Sequence, residues 1–303
     1  MSVLYALEKI RFPALDAFMG IITYLGHDMV FLLTAFAFFW CVNKRQGYYT
    51  MAVGISGLTI GQVLKIMCQI PRPWVIDPNF TPVESAKPAA TGYSFPSGHT
   101  QDAVSIFGTF AMWKKKKSVW VVCIVIIALV ALSRMYLGVH YPLDVIAALV
   151  CGAVLCLVMY PFFAHDDREI MPVFVAIFIF SVLYVVLMKV YPFGPDVDPV
   201  NLKEAHTSAY KLLGATAALC ISFPLEKRYV KFEVEAPIVI QIVKLVGGLG
   251  LIMVIRSAAK AIFGSFLPET LADGVRYFLM VIFAGLIWPM AFKPLCRLAS
   301  KNK

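Results

Sequence analysis

Apolar runs long enough to cross a bilayer follow one another along almost the whole chain, and that recurrence limits the fold more than any other feature. Runs of about 17 to 25 residues lie near 28–43, 50–68, 99–113, 118–137, 142–163, 171–191, 207–223, 237–255 and 274–292. The first and third of these are short. The loops between them are compact and leave no stretch for a separate soluble domain. Composition agrees: 60% of the residues are apolar and only 15% are charged, too little polar surface for a soluble globule of 303 residues. The expected fold is all-α, a polytopic integral membrane helix bundle of about nine spans. Residues 13–26 form one more apolar stretch, which contains Asp16 and ends at Gly26. It reads as an interfacial or re-entrant helix rather than a full span.

The net charge of +9 does not point to nucleic acid, because the cations sit at segment ends. Lys44 and Arg45, Lys114 to Lys117, Arg168, then Lys227, Arg228 and Lys231 follow alternate spans, and Lys293, Arg297, Lys301 and Lys303 close the chain. With alternating spans these share one face, expected to be cytoplasmic. The opposite loops hold fewer cations: Lys87, Lys203, Lys260 and Arg276. Cys41, Cys68, Cys123, Cys151, Cys156, Cys220 and Cys296 are scattered without a CxxC pair or a Cys-His pattern, so they read as small packing residues. Pro13 interrupts the charged N-terminus before an apolar core develops, so no cleaved leader is expected.

Three short clusters fall on the face opposite the cation-rich loops. The first is Lys65 with Arg72-Pro73. A lysine inside an apolar run is costly unless it faces a polar cavity or snorkels to the interface. Arg72 stands between Pro71 and Pro73, whose fixed φ stiffens the segment. Its planar fork of donors fits phosphate oxygens. The second cluster, Pro96-Ser97-Gly98-His99, precedes an apolar run. A loop entering a helix there offers free N–H groups to an anion, although a plain Ser cap with a bystander histidine is the simpler reading of the tetrapeptide alone. In the third, Ser133-Arg134 is followed by His140 and Asp144, with Pro142 expected in the first turn of a helix. A carboxylate bonded to one imidazole nitrogen fixes the tautomer and leaves the other lone pair free to attack phosphorus. Arg134 reaches the same pocket if the turn folds back through Gly138. Asp102, three residues after His99, gives that histidine a carboxylate at helical spacing as well.

Taken in order, the clusters resemble the three-part signature of the type 2 phosphatidic acid phosphatase superfamily, over roughly residues 28–163. Lys65, Arg72 and Pro73 match its first part; Pro96, Ser97, Gly98 and His99 its second; Ser133, Arg134, His140 and Asp144 its third. The resemblance implies that His140 is a nucleophile forming a phosphohistidine, oriented by Asp144. It implies that His99 serves as acid to the leaving group and then helps activate water. Lys65, Arg72, Ser97, Gly98 and Arg134 would bind the phosphate. It also implies a core of about six helices, so residues 1–170 would hold the core and 171–303 further membrane helices, the first completing it. The extra helices are open to three roles: a wider lipid groove, a homodimer contact, or plain extension. Lys244 and Arg256, in or near the eighth run, read as packing or snorkelling residues.

The expected activity is metal-independent hydrolysis of a lipid phosphate or prenyl diphosphate at the outer face of a membrane, taken to be a bacterial cytoplasmic membrane. No cofactor and no metal are called for, since fixed cations and N–H donors stabilise the oxygens. The expected partners are the lipid substrate and the bilayer. A sugar phosphate substrate, transfer to a lipid hydroxyl instead of water, and a transporter are the alternatives weighed. The last leaves the paired histidines unused.

Overall fold

The computed structural model describes residues 1–301; Lys303, counted above among the closing cations, lies outside the described residues. Among the described residues every regular element is helical. In chain order these are α1 Ser2–Glu8, α2 Pro13–Tyr24, α3 Asp28–Val42, α4 Lys44–Cys68 and the single turn α5 Pro73–Ile76. A three-part helix, α6, follows as Gly98–Ala103, Val104–Gly108 and Thr109–Lys114. The long helices α7 Lys117–Tyr136, α8 Pro142–Phe163, α9 Met171–Val190, α10 Pro199–Val230, α11 Ile238–Phe263 and α12 Glu269–Arg297 complete the chain.

Seven of these segments are long and apolar enough to cross a membrane, and the count is 8 if α2 and α3, bent by 42° to one another, form one span. The expected spans at 28–43 and 99–113 are present as helices, α3 and α6. Each falls short of the roughly 20 residues a bilayer needs, which is why the structure gives seven or eight candidates where the hydropathy of the sequence suggests about nine.

The helices divide between two compact units. The first comprises residues 1–34, 49–161 and 193–204, and so contains all three motif clusters. Its polarity is inverted relative to a soluble protein. Leu143, Ile146, Val150, Val154 and Leu157 recur at helical spacing along α8 and are exposed. Such a stripe faces hydrocarbon, where no water satisfies polar groups. Polar side chains instead pair inside: Thr50 and Thr109 lie 2.9 Å apart, and the Tyr49 hydroxyl donates to the Cys156 carbonyl at 2.7 Å. Within this unit α2 and α6 both pack on α7.

The turn between α7 and α8 folds back as the sequence requires for Arg134 and His140 to meet. Gly138 takes φ +77°, and the N–H groups of Leu137, Gly138 and Val139 return to the carbonyls of Ser133, Met135 and Arg134. Arg11 clamps the same turn, donating through Nε to the Tyr136 carbonyl at 2.9 Å and through Nη1 to the Thr81 carbonyl, with its guanidinium over the Phe80 ring. The Tyr136 hydroxyl in turn donates to Asp16 at 2.7 Å.

The second unit comprises residues 35–48, 162–192 and the chain from Ala205 onward. Phe39, Tyr48, Phe174, Phe223, Phe232 and Phe292 form a chain of tilted and edge-on ring contacts in its interior. Helices α10 and α12 cross so closely at Gly214 that a Cβ there would lie 2.0 Å from the Gly274 carbonyl oxygen. Lys244 is a packing residue: fully buried, it donates to the carbonyls of Glu233 and Val234 at 3.1 and 3.0 Å and sits 4.8 Å over the Phe292 ring. Arg256 is exposed.

Gly138→Ala tests the turn. A Cβ there would meet Arg11 Nη2 and the Phe80 ring at 2.8 Å, on backbone that L-residues rarely adopt. The left-handed conformation alone costs about 1–2 kcal/mol. The expected result is a lower unfolding temperature in detergent together with loss of activity. An unchanged unfolding temperature would show that the turn does not hold the unit together.

Candidate active site

Each motif residue is delivered by a local device visible in the sequence. Lys65 rides the last turns of α4. Arg72 caps the N-terminus of the proline-started turn α5, with extended backbone at φ −66° and ψ 154°. Ser97 caps α6: its hydroxyl oxygen accepts from the Thr100 backbone N–H at 3.5 Å, and also from Thr100 Oγ1 at 3.0 Å. Gly98 and His99 therefore lie in the first turn of α6, and Gly98 is exposed, with nothing within 4 Å of where a Cβ would stand. Pro142 starts α8, which puts Asp144 in the first turn and His140 just before it.

The centre of the arrangement is His140, which is 2% exposed, as against 6% for Arg72. Arg72 Nη1 points at His140 Nε2 at 3.0 Å. A guanidinium only donates, so Nε2 must present its lone pair and the ring proton must reside on Nδ1. Nδ1 lies 3.3 Å from Asp144 Oδ2, the acceptor this tautomer needs. Asp144 Oδ2 is itself fixed by the Tyr141 backbone N–H at 2.9 Å and by the Ser94 hydroxyl. Its backbone carbonyl accepts from the Ser97 N–H at 3.1 Å, which ties the second cluster to the third.

Arg72 is held by the polypeptide itself. Nε donates to the Gly92 carbonyl at 3.1 Å, Nη2 to Thr91 at 2.6 Å and Nη1 also to Val139 at 2.8 Å. Lys65 Nζ donates to the Tyr93 carbonyl at 2.6 Å, which leaves up to two of its donors for an anion. Arg134, 2% exposed, donates from Nη1 to Thr23 Oγ1 at 2.8 Å, while its Nε is buried with no partner among the described residues. An orphaned charged N–H inside a protein is costly unless a ligand completes it. Arg72, Arg134, Lys65 and His99 all act electrostatically on His140. Burial first, and Arg72 next, push the His140 imidazolium well below the usual histidine range, so the ring is held neutral. Among the described residues no three His, Cys, Asp or Glu side chains converge as a metal cage would require.

The structure therefore links Lys65, Arg72, Ser97, His99, Arg134, His140 and Asp144 through bonds or mutual charge. The Asp102 carboxyl, a possible partner for His99 by spacing, has Asp28 as the charge acting on it. The ring beside His99 is His27, edge-on at 5.6 Å between centroids. Two contributors escaped the sequence reading: Ser94, which carries no motif of its own, and Thr23, whose one signal was a polar residue within an apolar helix. The 193–206 loop, by sequence either an entrance-shaping segment or a plain connection, reaches the loop ahead of the second cluster through Asp198, whose N–H donates to the Tyr93 hydroxyl at 3.3 Å.

Comparison with known proteins places the chain in a family. Residues 45–168 match the family described as PAP2 superfamily, and residues 210–301 match its extension, described as PAP2 superfamily phosphatase, transmembrane extension. The chain is 31% identical over 150 residues to an undecaprenyl-diphosphatase of Sulfolobus acidocaldarius, covering 47% of this chain and 68% of that protein. It is 29% identical over 158 residues to phosphatidylglycerophosphatase B of Bacillus subtilis, covering 48% and 74%. It is likewise 29% identical over 120 residues to the undecaprenyl-diphosphatase BcrC of the same bacterium, covering 40% and 59%. With buried cations around an oriented imidazole and helices apolar enough to span a bilayer, the fold and site are those of an integral membrane phosphatase. The chain belongs to the PAP2 superfamily.

Ser94→Ala removes a donor from the Asp144 carboxylate. Hydrogen bonds to charged groups contribute about 1.5–3 kcal/mol. Phosphatase kcat/KM is expected to fall roughly tenfold to a hundredfold while the helix content by circular dichroism is unchanged. Native kinetics in this variant would show that Ser94 does not help to set the His140–Asp144 pair.

Proposed function

We propose that the protein hydrolyses a lipid phosphate or prenyl diphosphate at the outer face of its membrane through a phosphohistidine on His140, without a metal ion. The observation that carries this reading is the orientation of His140, with Nδ1 toward Asp144 and an unprotonated Nε2 toward the cations.

In the proposed cycle the phosphate enters beside Arg72, Arg134 and Lys65, with the Gly98 amide and the Ser97 hydroxyl as further donors. The Nε2 lone pair attacks phosphorus, the bond to the leaving oxygen breaks, and His99 gives that oxygen a proton. His99 then takes a proton from water as the water attacks the phosphohistidine, releasing inorganic phosphate and restoring neutral His140. Asp144 balances the positive charge on the imidazole between the steps. Arg72 already donates to Nε2, so an arriving phosphate oxygen has only to take over that donor. Positioning and charge stabilisation supply most of the rate in phosphoryl transfer.

The lipid substrate is supported by the relatives, named for undecaprenyl diphosphate and phosphatidylglycerophosphate, and by the exposed apolar helix faces around the site. The outward orientation is supported by the distribution of lysine and arginine over the loops. We read residues 1–170 as the phosphatase core and 171–303 as additional membrane helices, Met171–Val190 completing the core. The match of residues 210–301 to a transmembrane extension supports that division.

Detergent-purified protein is expected to release phosphate from lipid monophosphates or a prenyl diphosphate in excess chelator, and His140→Ala is expected to abolish it. Activity dependent on Mg²⁺, or persisting in His140→Ala, would contradict the mechanism. The pH profile gives a second check. The cation of His140 is disfavoured, so the reactive neutral ring persists as pH falls. The acid limb of kcat/KM is therefore expected below the ordinary histidine value of 6.5. An acid limb at or above that value would contradict a His140 nucleophile in this setting.

A further inference from the structure

The break between α2 and α3 lies directly on the second motif. Gly26 packs against the His99 backbone so closely that a Cβ would stand 2.2 Å from the His99 carbonyl oxygen and 2.9 Å from Val130 Cγ1. Only glycine permits that approach. The residues on either side of Gly26 also reach the site. Thr23 accepts the Arg134 Nη1 hydrogen bond at 2.8 Å. The His27 ring stands edge-on to His99, at 88° and 5.6 Å. Asp28, the first residue of α3, acts electrostatically on the buried Asp102, one turn beyond His99 in α6.

His27 is fixed from its other sides. Its Nδ1 accepts the Met29 backbone N–H at 3.2 Å, which sets the proton on Nε2 in the neutral ring, and Tyr24 stacks on it at 5.6 Å and 29°. The His27 ring is thus held at both its nitrogen and its face. His99 lies in the first turn of a helix, next to the exposed Gly98, and the aromatic ring packed against it is His27.

We propose that residues 23–28 form a fourth part of the active site, outside the three clusters, in which His27 is the positioning residue for His99. The bend of 42° between α2 and α3 is what delivers it. Residues 23–28 also precede residues 45–168, which match the family, so this part is built from chain that the match does not reach. The inference rests on the reading of His99 as acid to the leaving group.

That dependence supplies the test. A lipid alkoxide leaves poorly and needs a proton from His99, whereas p-nitrophenolate leaves without one. The ratio kcat/KM reports the steps up to departure of the leaving group. For the full-length protein in detergent, His27→Ala is expected to lower kcat/KM for a lipid monophosphate by about fivefold to tenfold, the range of an edge-to-face ring contact. It should leave kcat/KM for p-nitrophenyl phosphate within about twofold of native. His27→Phe, which keeps the ring edge but no nitrogen, should restore the lipid activity. Equal loss on both substrates, no loss in His27→Ala, or no restoration in His27→Phe would overturn the positioning role. His99→Ala run in parallel separates the two levels. By the proposed cycle His99→Ala lowers kcat on both substrates, because the base of the second step is lost, but lowers kcat/KM far more for the lipid monophosphate than for p-nitrophenyl phosphate. Equal loss of kcat/KM on the two would mean that the reading of His99 as leaving-group acid fails, rather than the contact with His27.

Discussion

One contact organises the site: a donor-only guanidinium aimed at one nitrogen of a buried imidazole. Because Arg72 cannot accept a proton, its approach to His140 Nε2 fixes the tautomer, and the tautomer makes Asp144 the obligatory acceptor on the other side. Much of the surrounding loop structure serves to hold that line. Arg72 is pinned by the carbonyls of Thr91, Gly92 and Val139, so the loop ahead of the second cluster and the turn of the third are fastened to the same side chain. Asp144 gathers Ser94, Tyr141 and, through its carbonyl, Ser97. The three clusters are thus one hydrogen-bonded object, although they are far apart in the chain.

Placing several cations together inside a membrane protein is expensive unless they share an anion. Here the expense is reduced by backbone carbonyls that take donors of Arg72 and Lys65. Arg134 is the exception, with a buried Nε that has no partner among the described residues. Under the proposed mechanism a phosphate oxygen would accept from it. The carbonyls hold the other cations in place, which is the preorganisation that phosphoryl transfer rewards.

Much of this was legible in the sequence, because its devices are local. Proline before α8, serine at the start of α6 and the spacing of His140 to Asp144 each act within a few residues, and the helices follow from uninterrupted apolar runs. The residues that were missed act across the fold. Ser94, Thr23 and His27 acquire their partners only when a loop or a bent helix is laid against another element, and no spacing rule encodes that. Asp102 shows the limit of spacing: it suggested a carboxylate for His99, whereas the charge acting on Asp102 comes from Asp28 on another helix. Span counting was imperfect for a physical reason too. Hydropathy sees apolar length, whereas α3 and α6 are short helices packed beside longer ones.

The most direct test of the account is to identify the bond formed during turnover. Protein mixed with a lipid phosphate carrying radiolabelled phosphorus, quenched with alkali and digested, would be mapped for alkali-stable, acid-labile phosphate. The account requires the label on the peptide containing His140, attached at Nε2. Label on His99, or turnover with no phosphohistidine at all, would contradict it.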